Sequence, residues 1–145
     1  VCGAIAAVNA VGDIRDPFTG TWIAGMRDEK TNLPQGASLA ALLDQTASMP
    51  LERTNTTISC IVTNAKLTKA QATKVAQMAA DAYAHAIVPT HTTNDGDTIF
   101  VMATGEIPAD VDVVGALAQN ALESAIVDGA RQAFSSYGFI AACDV

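Results

Sequence analysis

Charge is scarce in this sequence, and the little there is leans one way. Of 145 residues only 16% are charged, with 8 Lys and Arg against 15 Asp and Glu, for a formal net charge of -7. No basic stripe exists to neutralise phosphates, which argues against a nucleic-acid partner and against anionic membrane surfaces. No apolar run reaches the ~18–20 residues that a membrane helix needs. No two Cys or His residues have zinc-ligand spacing. The cysteines are 3 in number, Cys2, Cys60 and Cys143. An odd count, with Cys2 and Cys60 inside apolar strand patterns, reads as buried free thiols in a reducing compartment, and the cytoplasm is the expected location. Repeats and low-complexity segments are missing too. No leader-like stretch opens the sequence as given. Val1 leads straight into "VCGAIAAV", a core-strand pattern, so a piece of a longer chain is expected.

Half the residues are hydrophobic, enough for one domain with a real core. "CGAIAAVNAVGDI" (2–14) reads as a strand, "DPFTG" as a turn, and "TWIAGM" as a returning strand that completes a hairpin. From Asp28 to Asn55 the pattern loosens. "ASLAALLDQ" reads as one short helix ended by Pro50, inside a long connector. Such connectors in compact domains are usually functional or mobile. "TTISCIVTN" alternates, with Ile58, Cys60 and Val62 on one face and Thr57, Ser59, Ile61 and Thr63 on the other.

The run "LTKAQATKVAQMAADAYAHAIV" (67–88) has a Thr68/Gln71 capping box and Val75, Met78, Ala79, Ala82 and Ala86 at helical spacing, with Pro89 as its stop. "TIFVMATG" predicts a strand buried on both faces. "DVDVVGALAQNALESAIVDGARQAF" predicts a second helix with Val114, Leu117, Ala121, Leu122 and Ala125 on one side. The tail "SSYGFIAACDV" is ambiguous. Strands covered by helices imply a layered α/β sandwich.

Three places could carry chemistry. At Asn55-Thr56 a polar run gives way to a strand. A threonine hydroxyl becomes a useful nucleophile when its own α-amine is free to take the proton. That placement suits a chain cutting itself, and it equally suits an ordinary loop-to-strand junction. Asn55-Thr56-Thr57 also matches a glycosylation sequon, a match read as accidental. In "NDGD" the Asp95 and Asp97 carboxylates flank Gly96. Two such close acids can couple, one holding a proton while the other stays charged. A solvated turn has the same composition. Asn9 is an amide inside an apolar strand, placed either to donate to a developing oxyanion or to bond a turn. His91, in the loop before "NDGD", is a further residue to watch.

The stretches "AAVNAVGDIRDPFTG", "NTTISCIVTNAKLTKAQATKVAQMA" and "HTTNDGDTIFVMATG" resemble the L-aminopeptidase/D-esterase (DmpA-type) family in the same order over nearly the whole chain. That family includes β-aminopeptidases, an endo-type nylon-oligomer hydrolase and a pantetheine hydrolase of antibiotic biosynthesis. The resemblance implies an α/β/β/α sandwich similar to N-terminal-nucleophile hydrolases, with DmpA-type connectivity, and a precursor that cuts itself before its nucleophile. The cut would fall between Asn55 and Thr56. Residues 1–55 would then end the larger subunit and 56–145 would form the smaller one.

By the same resemblance Thr56 is the nucleophile, Asp95 and Asp97 position and activate it, and Asn9 lies near the oxyanion. The expected activity is cleavage of peptides or of amino-acid amides and oligomers through an acyl-enzyme, without cofactor or metal. A threonine at the cut leans slightly towards the nylon-oligomer and pantetheine hydrolases. The expected partners are the precursor's N-terminal portion, which in the family contributes a lysine to the site, and further cleaved pairs in a homo-oligomer. The rival readings are an acyltransferase of the ornithine acetyltransferase type and an inert α/β binding domain.

Overall fold

A computed structural model of the chain describes residues 1–44 and 55–145. The last part of the expected connector, including Pro50, lies outside the described residues. The described chain is a mixed α/β structure with two three-stranded sheets. Strand β1 (Cys2–Asn9) runs antiparallel to β4 (Thr56–Ala65), and β4 runs parallel to β6 (Thr98–Ile107), giving the order β1-β4-β6. The second sheet joins β2 (Asp13–Arg15), β3 (Trp22–Ala24) and β5 (Ile87–Val88) in the order β3-β2-β5. The helices are α1 (Ser38–Leu43), α2 (Lys69–Ala79), α3 (Asp81–Ala86) and α4 (Val111–Arg131).

Two expected elements divide. The strand read over 2–14 breaks after Asn9, and its halves join different sheets. Gly12 sits at the break, against the Pro89 carbonyl oxygen, with no room for a side chain. The helix read over 67–88 breaks at Ala80, and its end is the strand β5, paired with β2. Val88 precedes proline, whose ring pushes the residue before it into extended backbone. The Thr68/Gln71 capping box is present in both directions.

Helices α2, α3 and α4 cover one face of the β1-β4-β6 sheet. Ile61, Val75, Ala79, Ala82, Leu122 and Ile126 are fully buried there. On α4 the covered stripe follows Val114, Ala118, Leu122 and Ile126 at four-residue spacing, so Leu117 points outward, contrary to expectation. Leu122→Ala is expected to cost about 2–5 kcal/mol through lost burial and a residual cavity. Chemical denaturation checks this, and a cost under about 1 kcal/mol would mean that Leu122 is not central to the core.

The other face of the sheet is open. Strand β6 is not buried on both faces as expected: Phe100 and Met102 are each 58% exposed. Ile5, Ile58 and Val62 are exposed beside them. On β4 it is the hydroxyl-rich side that is covered, with Thr57, Ser59 and Thr63 all buried. Buried hydroxyls need partners, and those of Ser59 and Thr63 have them. The Thr63 hydroxyl donates to the Val1 carbonyl at 2.9 Å, and Ser59 Oγ lies 2.8 Å from the Tyr83 phenol. All three cysteines are free thiols. Cys2 and Cys60 are half-buried rather than buried, and Cys143 is exposed. The tail resolves into a tight reversal at Ser136–Phe139 and a 3-10 turn at Ala142–Asp144.

Candidate active site

Three distant stretches meet at one end of the β1-β4-β6 sheet. Strand β1 ends at Asn9, whose register partner on β4 is Thr56. On the other side of β4 the loop before β6 comes alongside, and Asn55 pairs with Asp95 in parallel. All the residues singled out from the sequence, Asn9, Asn55, Thr56, Asp95 and Asp97, are thus brought together. The parallel β4–β6 pairing makes this possible, because its crossover through α2 and α3 returns the chain to the end where β4 began.

The Asn55 carbonyl oxygen is the focus. The Thr56 hydroxyl donates to it at 2.6 Å, and the Gly96 N–H donates to it at 3.0 Å. Donors at this distance stabilise negative charge developing on a carbonyl oxygen. Gly96 is needed for the approach: a Cβ at that position would lie 2.7 Å from Thr56 Oγ1. Attack on the Asn55 carbon would require the hydroxyl to swing from the oxygen towards it.

The two carboxylates engage backbone. Asp97 Oδ1 accepts the Thr57 N–H at 2.8 Å, one residue past Thr56. Its Oδ2 lies 3.4 Å from the Thr90 hydroxyl and 3.4 Å from His91 Nδ1. Asp95 Oδ2 accepts the Thr92 N–H at 2.7 Å and closes its own turn. Asn9 lines a cleft of about 650 Å³ together with Val8, Gly12, Met26 and Arg27. Among the described residues, no three His, Cys, Asp or Glu side chains gather closely enough to hold a metal ion.

Sequence reading passed over two residues here. Gly96 stands out in the sequence only as the residue between two carboxylates, yet it is the close neighbour of the Thr56 hydroxyl. Tyr83 was read as one position in a helix. It is 1% exposed, and its phenol reaches Ser59 Oγ at 2.8 Å, the Thr57 carbonyl at 3.2 Å and the Thr98 carbonyl at 3.4 Å. Burial pushes the phenol above its ordinary pKa. The Ser59 hydrogen bond opposes that rise, and the Asp97 charge adds to it. The His91 ring packs on Tyr83, centroid to centroid at 5.8 Å. No periodicity marks a tyrosine as a hydrogen-bond donor, so only the fold exposes this role.

Residues 1–141 match peptidase family S58. An uncharacterized aminopeptidase of Mycobacterium leprae is 37% identical over 97% of this chain and 43% of its own length. One from Mycobacterium tuberculosis is 38% identical over 79% of this chain and 35% of its own. A 6-aminohexanoate-oligomer endohydrolase of Agromyces is 35% identical over 72% of this chain and 30% of its own. The chain therefore spans less than half the length of the curated relatives it matches. No helix among the described residues is long and apolar enough to cross a membrane. The match along almost the whole sequence places the chain in peptidase family S58, the family of the DmpA-type hydrolases.

Proposed function

We propose that the chain is the nucleophile-bearing part of an amide hydrolase that cuts itself between Asn55 and Thr56. The observation that carries this reading is the Asn55 carbonyl oxygen, held by the Thr56 hydroxyl at 2.6 Å and the Gly96 N–H at 3.0 Å. In the first step Thr56 Oγ1 bonds to the Asn55 carbonyl carbon while the Gly96 N–H supports the oxyanion. The C–N bond then breaks, and the Thr56 nitrogen takes the proton given up by the hydroxyl. Water hydrolyses the resulting ester, leaving an Asn55 carboxylate and a Thr56 with both its hydroxyl and a free α-amine.

Turnover repeats the chemistry on another amide. The neutral α-amine accepts the hydroxyl proton as Thr56 attacks and hands it to the leaving amine. Water then releases the acyl group. An α-amine has an ordinary pKa of about 7.7–8.0, so a useful fraction is neutral near pH 7–8. In this reading Asp97 holds the strand that presents Thr56 and Asp95 holds the loop that presents Gly96. Asn9, the register partner of Thr56, is assigned in this reading as a further amide donor to the oxyanion.

The open apolar face of the sheet fits the α/β/β/α architecture. Exposed faces of this kind mark interaction sites, and in this reading a second sheet from the precursor's N-terminal portion covers it. Residues 1–55 then end the larger subunit and 56–145 form the smaller. The cut pairs assemble further, and the expected setting is the cytoplasm. The substrates are peptides or amino-acid amides and oligomers. The names of the relatives, aminopeptidase and 6-aminohexanoate-oligomer endohydrolase, support that range.

The test is expression of the full-length reading frame followed by N-terminal sequencing of the smaller fragment. It should begin Thr-Thr-Ile-Ser, and any other start overturns the assignment. Amino-acid p-nitroanilides and 6-aminohexanoate oligomers, offered to the cut protein, separate exo- from endo-cleavage.

A further inference from the structure

Cutting the chain at Asn55 removes the contacts that hold the head of β4 on its β6 side and leaves only the pairing of Thr56 with Asn9 of β1. The Asn55–Asp95 pairing and the Gly96 N–H bond both belong to Asn55. Once the bond is gone, Thr56 is a chain terminus at the end of a strand, and termini fray unless tied down. The β4–β6 ladder begins only at Ile58↔Thr98, one residue beyond Thr57.

Thr57 is tied at both backbone groups, however. Its N–H goes to Asp97 Oδ1 at 2.8 Å, and its carbonyl lies 3.2 Å from the Tyr83 phenol. Tyr83 comes up from α3 beneath the sheet and is 1% exposed. The same phenol oxygen also reaches Ser59 Oγ and the Thr98 carbonyl. It therefore spans the strand that starts at Thr56 and the strand that follows Asp97. A proton count allows the Ser59 and Thr57 bonds together, with the Thr98 carbonyl the more distant neighbour. Ser59, itself a hydroxyl, can give its proton to the phenol oxygen and leave the phenol's own proton for the Thr57 carbonyl.

We infer that Tyr83 is a positioning residue for Thr56 whose effect begins after the cut, by clamping Thr57 together with Asp97. This rests on the proposed self-cutting hydrolase. Before the cut, Asn55 already fixes Thr56, so the phenol adds little to the self-cutting rate. After it, the hydroxyl and amine of Thr56 are held in place through Thr57. Loss of such positioning is felt in the chemical step rather than in substrate binding.

The experiment is Tyr83→Phe in the full-length protein. Self-cutting should run within about twofold of the wild type, while kcat of the cut enzyme falls about tenfold with KM unchanged. Hydrogen exchange at the Thr57 amide should be faster in the cut variant than in the cut wild type.

Because Tyr83→Phe also strands the Ser59 hydroxyl, a second variant, Tyr83→Phe with Ser59→Ala, removes that buried orphan and should regain stability. If kcat stays low while the melting temperature recovers, the clamp stands. If kcat recovers along with stability, or if self-cutting slows as much as turnover, Tyr83 is structural and the inference fails. A wild-type fragment that does not begin at Thr56 is a separate outcome. It overturns the self-cutting reading and takes this inference with it.

Discussion

Thr56→Ala is expected to leave the chain whole across residues 55 and 56 and to show no amide hydrolysis above background. One hydroxyl serves both events in the proposed chemistry, so no partial loss is expected in either. The fold should survive, because the hydrogen bond of Thr56 Oγ1 goes to the neighbouring Asn55 carbonyl and not into the core. Thr56→Ser and Thr56→Cys, which keep a nucleophilic atom at the same place, should retain some cutting. Intact mass under denaturing conditions reads the cut, and a chromogenic amide reads the turnover. Wild-type turnover by the alanine variant would remove Thr56 from the mechanism.

The second large effect belongs to a residue with no side chain. Gly96→Ala should slow self-cutting by about a hundredfold or more, on the scale of losing one oxyanion donor. The added Cβ falls 2.7 Å from Thr56 Oγ1, well inside contact distance. Either the hydroxyl rotates away from the Asn55 carbonyl, or the 95–97 loop retreats and withdraws the Gly96 N–H. Both responses disturb the reacting atoms, and both leave the core alone. The backbone at Gly96 is not in the left-handed region, so alanine adds no conformational strain there. The rate is read as the half-time for appearance of the smaller fragment. An unchanged half-time in a folded variant would mean that the close approach of Gly96 has no part in the cut.

Local signals in the sequence carried most of the elements. The alternation of "TTISCIVTN" put Thr56 at the head of a strand, and the Thr68/Gln71 box marked where α2 begins. Alternation defines two faces but does not say which one is covered. On β4 the apolar face is open and the hydroxyl face is buried, an inversion that depends on which layers are present. The break at Ala80 was equally illegible, since an alanine-rich run suits one helix or two. What stops α3 is the pairing of β5 with β2, a contact between residues far apart in sequence. At the site, the quoted motifs brought out Asn9, Thr56, Asp95 and Asp97. Their meeting depends on the register Asn9↔Thr56 and on the parallel return of β6. The Tyr83 phenol had no sequence signal, because its three polar neighbours lie on two strands that only the fold brings together.

Strand β4 is the central strand of its sheet, and Thr56 is its first residue. A cut at that bond would therefore turn the ladder from Cys2↔Thr63 to Asn9↔Thr56 into a contact between two polypeptides. Along one edge β4 is bonded to the outgoing chain, along the other to β6 of its own chain. Separating the two products would mean pulling apart the middle of a sheet and exposing the core beneath it. Dilution offers no low-energy route to that, so the pair should remain together at any working concentration and come apart only on denaturation. Cleavage would release a reactive end without releasing a subunit.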